Sequence, residues 1–328
     1  MAVLSRSNLG SEARESVVAL AAAKFASGTA NQYGREWLLF KEWCDQNGFQ
    51  PLPASPVAVV AYLAARLSSA PSLGGTVAAA ISNVHLAAGL EDPTKKWVAP
   101  WIIKGGSRLV TKKKEVDGFD IEALRRWRRD PKLAVGLSRP KFSWMRNGAL
   151  VALGLRTAQR PNELVSLRKR DIEFRDDGSM VVTIRSSKTD QASRGHDIYI
   201  DPTGDTVMCP VAIMKEYVNY MVEEGLMRGE EDFLFTSVRG NKPLAVGAVG
   251  SICRKVHAVL GGDEHITGKS LRVGGASLGA AAGLDRAVIN SMGNWSNRSN
   301  TTARYVRSKA VMKGGISARL GFGAEDTA

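Results

Sequence analysis

An arginine and a glutamate near the middle of the sequence could together hold an anionic oxygen. Arg160 follows an apolar helical pattern and precedes Pro161, so we expect it at a helix junction, with Glu163 three residues further on. A guanidinium group binds phosphate oxygens through two parallel hydrogen bonds and keeps its charge, and a carboxylate can orient it. A purely structural Arg–Glu pair is the alternative interpretation.

Two other cationic segments could serve the same chemistry. Lys188, within SSKT, is expected at the tip of a hairpin, where a lysine could give a proton to a leaving oxygen or simply be solvated. Lys269 and Arg272 open a helix rich in small residues, and their spacing puts them on one helical face. Two cations on one face repel each other, so the pair favours a bound phosphate, although two separately solvated side chains would also explain it.

An aromatic pair follows further along the chain. Trp295 and Tyr305 lie in GNWSNRSNTTARYVRSK, where Arg304 and Arg307 flank the tyrosine. A free phenol titrates at about pH 10, so a nucleophilic tyrosine needs nearby cations that favour its phenolate form. For a lone tyrosine, a packing or surface role is the alternative.

The part of the chain that must position these residues shows both helical and strand patterns. Helical patterns cover residues 120–129 and 142–155, two short strands are predicted over 180–185 and 196–200, and helical patterns then return. Residues 119–328, including a C-terminal tail, are therefore predicted to form a domain of helices around a small antiparallel β-sheet.

The first part of the chain shows only helical signals. An apolar stripe runs from Tyr33 to Cys44, and Ser55 followed by Pro56 is typical of a helix start. No strand signal interrupts this pattern. Residues 1–104 are therefore predicted to form a helical domain.

A basic segment separates the two predicted domains. Residues 105–118 contain glycines together with Arg108, Lys112, Lys113 and Lys114, and they have no apolar period. This composition is typical of an interdomain linker. Such a linker could lie along a phosphate backbone, or it could be a solvated tether.

The composition favours a polyanionic partner. The 328 residues include 45 Lys and Arg against 32 Asp and Glu, which gives a formal net charge of +13. Three scattered cysteines without a CxxC pair argue against a disulfide scaffold or a zinc module. No apolar run of about 18 residues and no signal peptide are found, so we expect a soluble protein inside the cell that does not enter a membrane.

The order of these motifs is more informative than any one of them. The series R-x-x-E-L, a lysine in a β-turn, K-x-x-R, G-x-W and a tyrosine resembles the tyrosine recombinase (phage-integrase-like) family over about residues 11–310. The SLRVGGA stretch looks more like the recombinases of mobile elements such as cryptons and DIRS-type retrotransposons. The resemblance implies a helical core-binding (SAM-like) domain and an α+β catalytic domain that form a C-shaped clamp around DNA.

The resemblance also implies roles for the residues that match the family motifs. Tyr305 would attack the scissile phosphate, giving a 3′-phosphotyrosine and a free 5′-hydroxyl. Arg160 and Arg272 would grip the non-bridging oxygens, and Glu163 would support them. Lys188 would protonate the leaving 5′-oxygen.

Two positions of the family pattern vary among its members. Trp295 stands where the family has His or Trp, and its ring N–H can donate to the phosphate. Lys269 stands where His is commonest, and a charged lysine can only donate, so we expect a third phosphate clamp rather than a base. The family chemistry implies no metal and no other cofactor, and the sequence contains no Walker loop.

The resemblance implies double-stranded DNA as the partner, with a dimer on one site and a tetramer in synapsis. Lys95, Lys96 and the basic residues of the linker are candidate DNA contacts. The protein would work with the DNA, in the cytoplasm or nucleoid of a prokaryotic or viral system or in a eukaryotic nucleus. The alternatives are a type IB topoisomerase or telomere-resolvase-like strand transferase, and a catalytically silent DNA-binding protein derived from a mobile element.

Overall fold

The structure is a computed structural model that describes residues 27–109, 115–185, 195–239, 242–296 and 301–306. The chain divides into two compact units, residues 1–113 and 114–328, and each unit has its own hydrophobic core. In the described part of the chain, no helix is both long and apolar enough to cross a membrane.

The first unit is helical, as its sequence pattern predicts. Phe40 and Cys44 of the predicted stripe are fully buried, and the Ser55 hydroxyl caps the second helix by accepting a hydrogen bond from the Ala58 amide at 3.1 Å. The α-helices described here are α1 (Ser27–Asn47), α2 (Pro56–Ser69), α3 (Gly74–Ala87) and α4 (Ala99–Leu109), with 3-10 turns at Pro71–Leu73 and Pro93–Lys95.

Helix α4 corrects the predicted start of the linker. It continues to Leu109, so residues 105–109, including Arg108, are helical rather than part of a linker. The glycine at position 106 does not mark a linker, because it lets α4 pack closely on α2. Gly106 is buried, and a Cβ atom there would lie 2.8 Å from Cδ1 of Leu67 in α2. Lys112, Lys113 and Lys114 lie outside the described residues.

The second unit surrounds one long helix. Most residues of α6 are buried, and α8 and α10 pack against it. The helices described in this unit are α5 (Ile121–Arg129), α6 (Pro140–Thr157), α7 (Pro161–Ser166), α8 (Pro210–Glu223), α9 (Val246–His257), α10 (Ser270–Ala281), α11 (Arg286–Met292) and α12 (Thr301–Val306), with 3-10 turns at Pro131–Ala134, Lys169–Asp171 and Ala258–Leu260.

A three-stranded antiparallel sheet lies between α7 and α8 in the chain. Its strands are β1 (Ile172–Phe174), β2 (Met180–Ile184) and β3 (His196–Ile200), in the order β1-β2-β3. The mainly helical fold with a small sheet is confirmed. The sequence did not predict β1, because three residues flanked by charges are too short to show alternation. Residues 186–194, which lie between β2 and β3 in the sequence and include Lys188, are outside the described residues.

Candidate active site

The junction between α6 and α7 places Arg160 beside Glu163. Helix α6 stops where Ala158 takes a left-handed conformation (φ 48°, ψ 31°), and Arg160 becomes the N-cap of α7. The Glu163 carboxylate accepts hydrogen bonds from the backbone N–H of Arg160 through Oε2 and from its Nη1 through Oε1, each at 2.7 Å. The Glu163 side chain is 3% exposed and that of Arg160 is 26% exposed. A buried carboxylate therefore fixes a guanidinium group that still reaches solvent.

Arg272, in the first turn of α10, is the second cation of the site. Its side chain is buried, and it donates from Nη1 to the Ala158 carbonyl at 2.6 Å and from Nη2 to the Gly293 carbonyl at 3.1 Å. Nη1 also lies 3.9 Å from Oε2 of Glu163. One carboxylate is thus shared by two arginines that come from different helices.

Burial depresses the pKa of Arg272 to about 10, and the nearby charge of Arg160 lowers this pKa as well. The carboxylate of Glu163 and the side chain of Tyr305 act in the opposite direction. Arg272 therefore stays charged near neutral pH at an energetic cost. A bound anion would reduce that cost, which makes the site suited to phosphate.

Two glycines allow α10 to come close enough to α6 for Arg272 to reach the Ala158 carbonyl. A Cβ atom at Gly274 would lie 2.5 Å from the Phe119 carbonyl oxygen, and one at Gly275 would overlap the carbonyl oxygen of Leu155 in α6. The backbones of α10 and α6 therefore touch without intervening side chains. This spacing brings Arg272 within reach of the Ala158 carbonyl.

Trp295 and Tyr305 complete the site. Their ring centroids lie 5.6 Å apart at 66°, an edge-to-face arrangement. The Arg272 guanidinium carbon lies 4.5 Å from the Trp295 ring centroid, and Nζ of Lys269 lies 5.1 Å from that of Tyr305. Nε1 of Trp295 is buried and has no acceptor among the described residues. A buried donor of this kind can serve an oxygen atom brought by a ligand.

Helix α12, which carries Tyr305, is held by buried polar contacts. The Thr302 hydroxyl donates to Oδ1 of Asn290 in α11, and both side chains are buried. The Ser277 hydroxyl in α10 donates to the Tyr305 carbonyl at 3.2 Å. The sequence analysis missed these residues, because a serine, threonine or asparagine within a helix carries no sign of a partner in another helix.

Gln159 is a further residue that the sequence analysis missed. It is fully buried, and its Nε2 donates to the Thr157 carbonyl at 3.1 Å and to the Met292 carbonyl at 3.0 Å. It therefore joins the end of α6 to the end of α11, next to the turn that presents Trp295. Its position immediately before Arg160 is the one sequence signal that could have drawn attention to it.

The structure brings six of the predicted site residues together in the second unit. Within the second unit, one site contains Arg160, Glu163, Lys269, Arg272, Trp295 and Tyr305. Lys188 lies outside the described residues. In the first unit, Lys95 pairs with Asp92 at 3.7 Å and Lys96 pairs with Glu91 at 3.0 Å, so their charges are partly neutralised.

Known proteins are similar to this chain in sequence and in fold. The sequence model of the phage integrase family matches residues 137–311. An integrase/recombinase xerD homolog of Selenomonas ruminantium is 28% identical over 278 residues, which are 80% of this chain and 77% of that protein. The Tn1549 transposon integrase, solved with transposon right end DNA, has a TM-score of 0.56 at 13% identity and covers 91% of this chain and 95% of its own.

A lambda integrase fragment solved as a dimer bound to a COC′ core site is also similar. Its TM-score is 0.53 at 16% identity, and the match covers 88% of this chain and 92% of that one. Lambda integrase has also been solved as a tetramer bound to a Holliday junction.

The fold and the site together are those of a protein that can bind a phosphate next to a phenol. The matched family segment is more than half of the chain and includes the whole of this site. The chain belongs to the phage integrase family, the tyrosine recombinases, and is a site-specific recombinase that breaks and rejoins DNA. The topoisomerase and binding-only alternatives are not favoured. The narrower likeness to crypton and DIRS recombinases stays a prediction.

Proposed function

We propose that Tyr305 is the nucleophile of this recombinase and that strand exchange passes through a 3′-phosphotyrosine. The phenol oxygen forms a bond to the scissile phosphorus, and the bond from phosphorus to the 5′-oxygen breaks. Water at the site takes the phenol proton, and the leaving oxygen takes a proton to become a 5′-hydroxyl. Attack by a 5′-hydroxyl on the phosphotyrosine reverses these steps and rejoins a strand.

The observation that carries this proposal is a carboxylate shared by two arginines, one of which packs on the tryptophan next to Tyr305. Glu163 holds Arg160 by two hydrogen bonds at 2.7 Å and lies 3.9 Å from Arg272, which contacts the Trp295 ring next to Tyr305. Two guanidinium groups fixed before the substrate arrives can stabilise negative charge on the non-bridging oxygens without reorganisation. Trp295 would add a third donor through Nε1.

Two lysines have separate roles in this proposal. Lys269 is exposed at the start of α10, and its ammonium group lies over the Tyr305 ring, where it can contact a phosphate held at the arginines. We assign it as a third phosphate clamp. On this basis Lys269→Arg retains much of the cleavage activity and Lys269→Ala loses it; an inactive Lys269→Arg protein with normal DNA binding would contradict the assignment. Lys188 is assigned as the proton donor to the 5′-oxygen from its sequence position.

The partner in this proposal is double-stranded DNA, bound by a dimer at each site and by a tetramer during synapsis. The lambda integrase structures, a dimer on a core site and a tetramer on a Holliday junction, support this assembly. The protein would act where its DNA is, in the nucleoid or the nucleus according to the host.

The test is formation of a covalent adduct on a duplex taken from the ends of the protein's own element. A nick near the crossover lets the short fragment that carries the free 5′-hydroxyl diffuse away, so the strand cannot be rejoined and the phosphotyrosine is trapped. EDTA is present throughout. We expect an SDS-stable adduct that is absent for Tyr305→Phe and unchanged for Tyr199→Phe, a control at an exposed tyrosine. An adduct that persists in Tyr305→Phe would overturn the assignment of the nucleophile.

The same preparation addresses the alternatives. A topoisomerase relaxes supercoiled plasmid that lacks the element's ends, whereas a site-specific recombinase needs its site. A silent DNA-binding protein binds the nicked duplex tightly and forms no adduct. Tight binding without an adduct would therefore count against catalysis by this chain.

A further inference from the structure

The turn at the end of α11 carries two parts of the active site. Trp295 stands at its end, and the Gly293 carbonyl accepts the hydrogen bond from Nη2 of Arg272. The turn is tight, because Asn294 takes a left-handed conformation (φ 48°) and the Trp295 amide donates to the Asn290 carbonyl at 2.9 Å. We call residues 292–295 the Trp295 turn. Its position sets both a contact of Arg272 and the place of the indole ring.

Two buried side chains bridge the end of α6 to the Trp295 turn. Gln159 donates from Nε2 to the Thr157 carbonyl at 3.1 Å and to the Met292 carbonyl at 3.0 Å. Arg272 donates to the carbonyl one residue further along in each segment, at 2.6 Å and 3.1 Å. Two consecutive carbonyls on each side therefore accept from the same pair of side chains, one neutral and one charged.

The Gln159 amide forms this bridge at a cost to stability. Both neighbours of Nε2 are carbonyl oxygens, which only accept hydrogen bonds, so the nitrogen and not the oxygen of the amide must face them. The oxygen, Oε1, is then buried and has no hydrogen-bond partner among the described residues. A buried acceptor without a donor is unfavourable. A side chain that carries such a cost points to a role besides stability.

Movement of the Trp295 turn would displace Arg272. The guanidinium group is bonded to the Gly293 carbonyl and lies 4.5 Å from the Trp295 ring centroid, so a shift of the turn carries the group with it. A displacement of about 1 Å in a group that stabilises the transition state can cost about a hundredfold in rate. Gln159 opposes such a shift through its own bond to the carbonyl of Met292.

We infer that Gln159 is a positioning residue for strand cleavage. It acts through the Trp295 turn rather than on the phosphate: the turn holds the guanidinium group of Arg272 and the ring of Trp295 where the scissile phosphate meets them. This inference rests on the proposed function, because it takes Arg272 as a phosphate clamp and Tyr305 as the nucleophile.

The test is Gln159→Met in the full chain, with the nicked duplex described above. Methionine is close to glutamine in length and volume but has no donor, so both bonds of the bridge are lost and the unpartnered oxygen is removed with them. We expect unchanged affinity for the duplex and adduct formation that is about a hundredfold slower at saturating protein. Adduct formation at the unaltered rate would overturn the inference.

The matched control is Tyr217→Phe, which also removes a buried hydrogen bond of the second unit. The Tyr217 hydroxyl donates to the Leu234 carbonyl at 2.9 Å. This variant should melt at a lower temperature and still form the adduct at the unaltered rate. Equal slowing of both variants, measured well below their melting temperatures, would assign the effect to stability and contradict a positioning role. If Gln159→Met does not fold, Gln159→Asn takes its place, since its amide is too short to reach both carbonyls.

A neutral substrate shows whether the effect passes through the arginine. A methylphosphonate at the scissile position has a methyl group in place of one non-bridging oxygen, so it lacks the negative charge that a guanidinium group stabilises. On this substrate the deficit of Gln159→Met should shrink to less than about tenfold, and that of Arg272→Ala should shrink in the same way. If the deficit of Arg272→Ala shrinks and that of Gln159→Met does not, Gln159 does not act through Arg272.

Failure of this inference can be told apart from failure of the proposed function. An unaltered protein that forms no adduct dependent on Tyr305 would contradict the proposed function, and this inference with it. An Arg272→Ala deficit that is equal on both substrates would contradict the proposed phosphate clamp. An adduct that depends on Tyr305 and that Gln159→Met forms at the unaltered rate would contradict this inference alone.

Discussion

Arg272 and Glu163 face each other in the interior of the second unit, with Nη1 and Oε2 3.9 Å apart and side chains that are 4% and 3% exposed. The separation is too long for a hydrogen bond, and Nη1 of Arg272 donates to the Ala158 carbonyl instead. Arg272 therefore gains attraction from Glu163 without being fully paired. Its charge remains available to a ligand.

Glu163→Gln should shift the alkaline fall in cleavage to a lower pH. Burial lowers the pKa of Arg272 to about 10, and the Glu163 carboxylate raises it. Loss of that carboxylate lowers the pKa further, so Arg272 loses its proton at a lower pH, and the alkaline fall in cleavage should begin at a lower pH than in the unaltered protein. The rate of adduct formation at subsaturating protein, from pH 7 to 10, reports this pKa for the free enzyme.

Glu230→Gln is the control for that experiment, since Glu230 pairs with Lys169 on the surface. It should leave the pH profile unchanged. If the cleavage rates of Glu163→Gln and the unaltered protein fall at the same alkaline pH, Glu163 does not support the charge of Arg272.

Trp295→Phe should lower the cleavage activity without lowering the stability of the protein. The indole lies over Gly293, where a Cβ atom would be 2.5 Å from the ring, and its buried Nε1 has no acceptor among the described residues. Phenylalanine keeps an aromatic ring there and removes a donor whose burial costs about 1–3 kcal/mol. We expect an equal or higher melting temperature and a loss of about 10²-fold in the cleavage rate, because the proposed phosphate donor is gone. A variant that is both less stable and fully active would refute this role.

Thr302→Val tests how α12 is held. The valine has a similar shape but cannot donate to Asn290, so we expect a loss of about 1 kcal/mol in the free energy of unfolding and slower adduct formation at unchanged DNA affinity. Thr302→Ser should restore the rate. Ser291→Ala, which removes a hydroxyl that donates to the Val288 carbonyl within α11, is the matched control. Equal effects of Thr302→Val and Ser291→Ala would show that the contact does not position Tyr305.

Two inactive variants, one without the tyrosine hydroxyl and one without an arginine, should not restore adduct formation when they are mixed. Tyr305 packs against Trp295 of the same chain, and its carbonyl accepts a hydrogen bond from Ser277 of that chain, so the proposed nucleophile and the two arginines come from one protomer. We expect no adduct when Tyr305→Phe and Arg272→Ala proteins are combined on one nicked duplex. An adduct in the mixture would mean that one protomer supplies its tyrosine to the arginines of another.

Local patterns in the sequence predicted much of this structure. The stripe that ends at Cys44, the cap at Ser55 and the two longer strands each depend on neighbours within a few residues, and each was found. The i, i+3 spacing of Lys269 and Arg272 predicted that they share one helical face, and in the structure Lys269 lies over the Tyr305 ring and Arg272 over the Trp295 ring. It could not show that one is exposed and the other buried, because that depends on what packs against α10.

The features that the sequence did not predict are contacts between distant segments. Gly106 suggested a linker, but its small size lets α4 pack on Leu67. Gln159 and Thr302 bond to partners in α11, which are 133 and 12 residues away. No periodicity in one sequence encodes such pairs, since they arise only when helices are brought together.

The contact between α6 and α10 has a consequence for how the enzyme could change over time. Because the Gly275 backbone rests directly on Leu155, the position of Arg272 relative to Arg160 is set by main-chain atoms rather than by exchangeable side chains. A single added methyl group at Gly275 would force the two helices apart, and a displacement of about 1 Å can cost a reaction a hundredfold in rate. Exposed side chains elsewhere on the molecule are free of this restriction, so they can be replaced while the spacing of the two arginines is inherited unaltered.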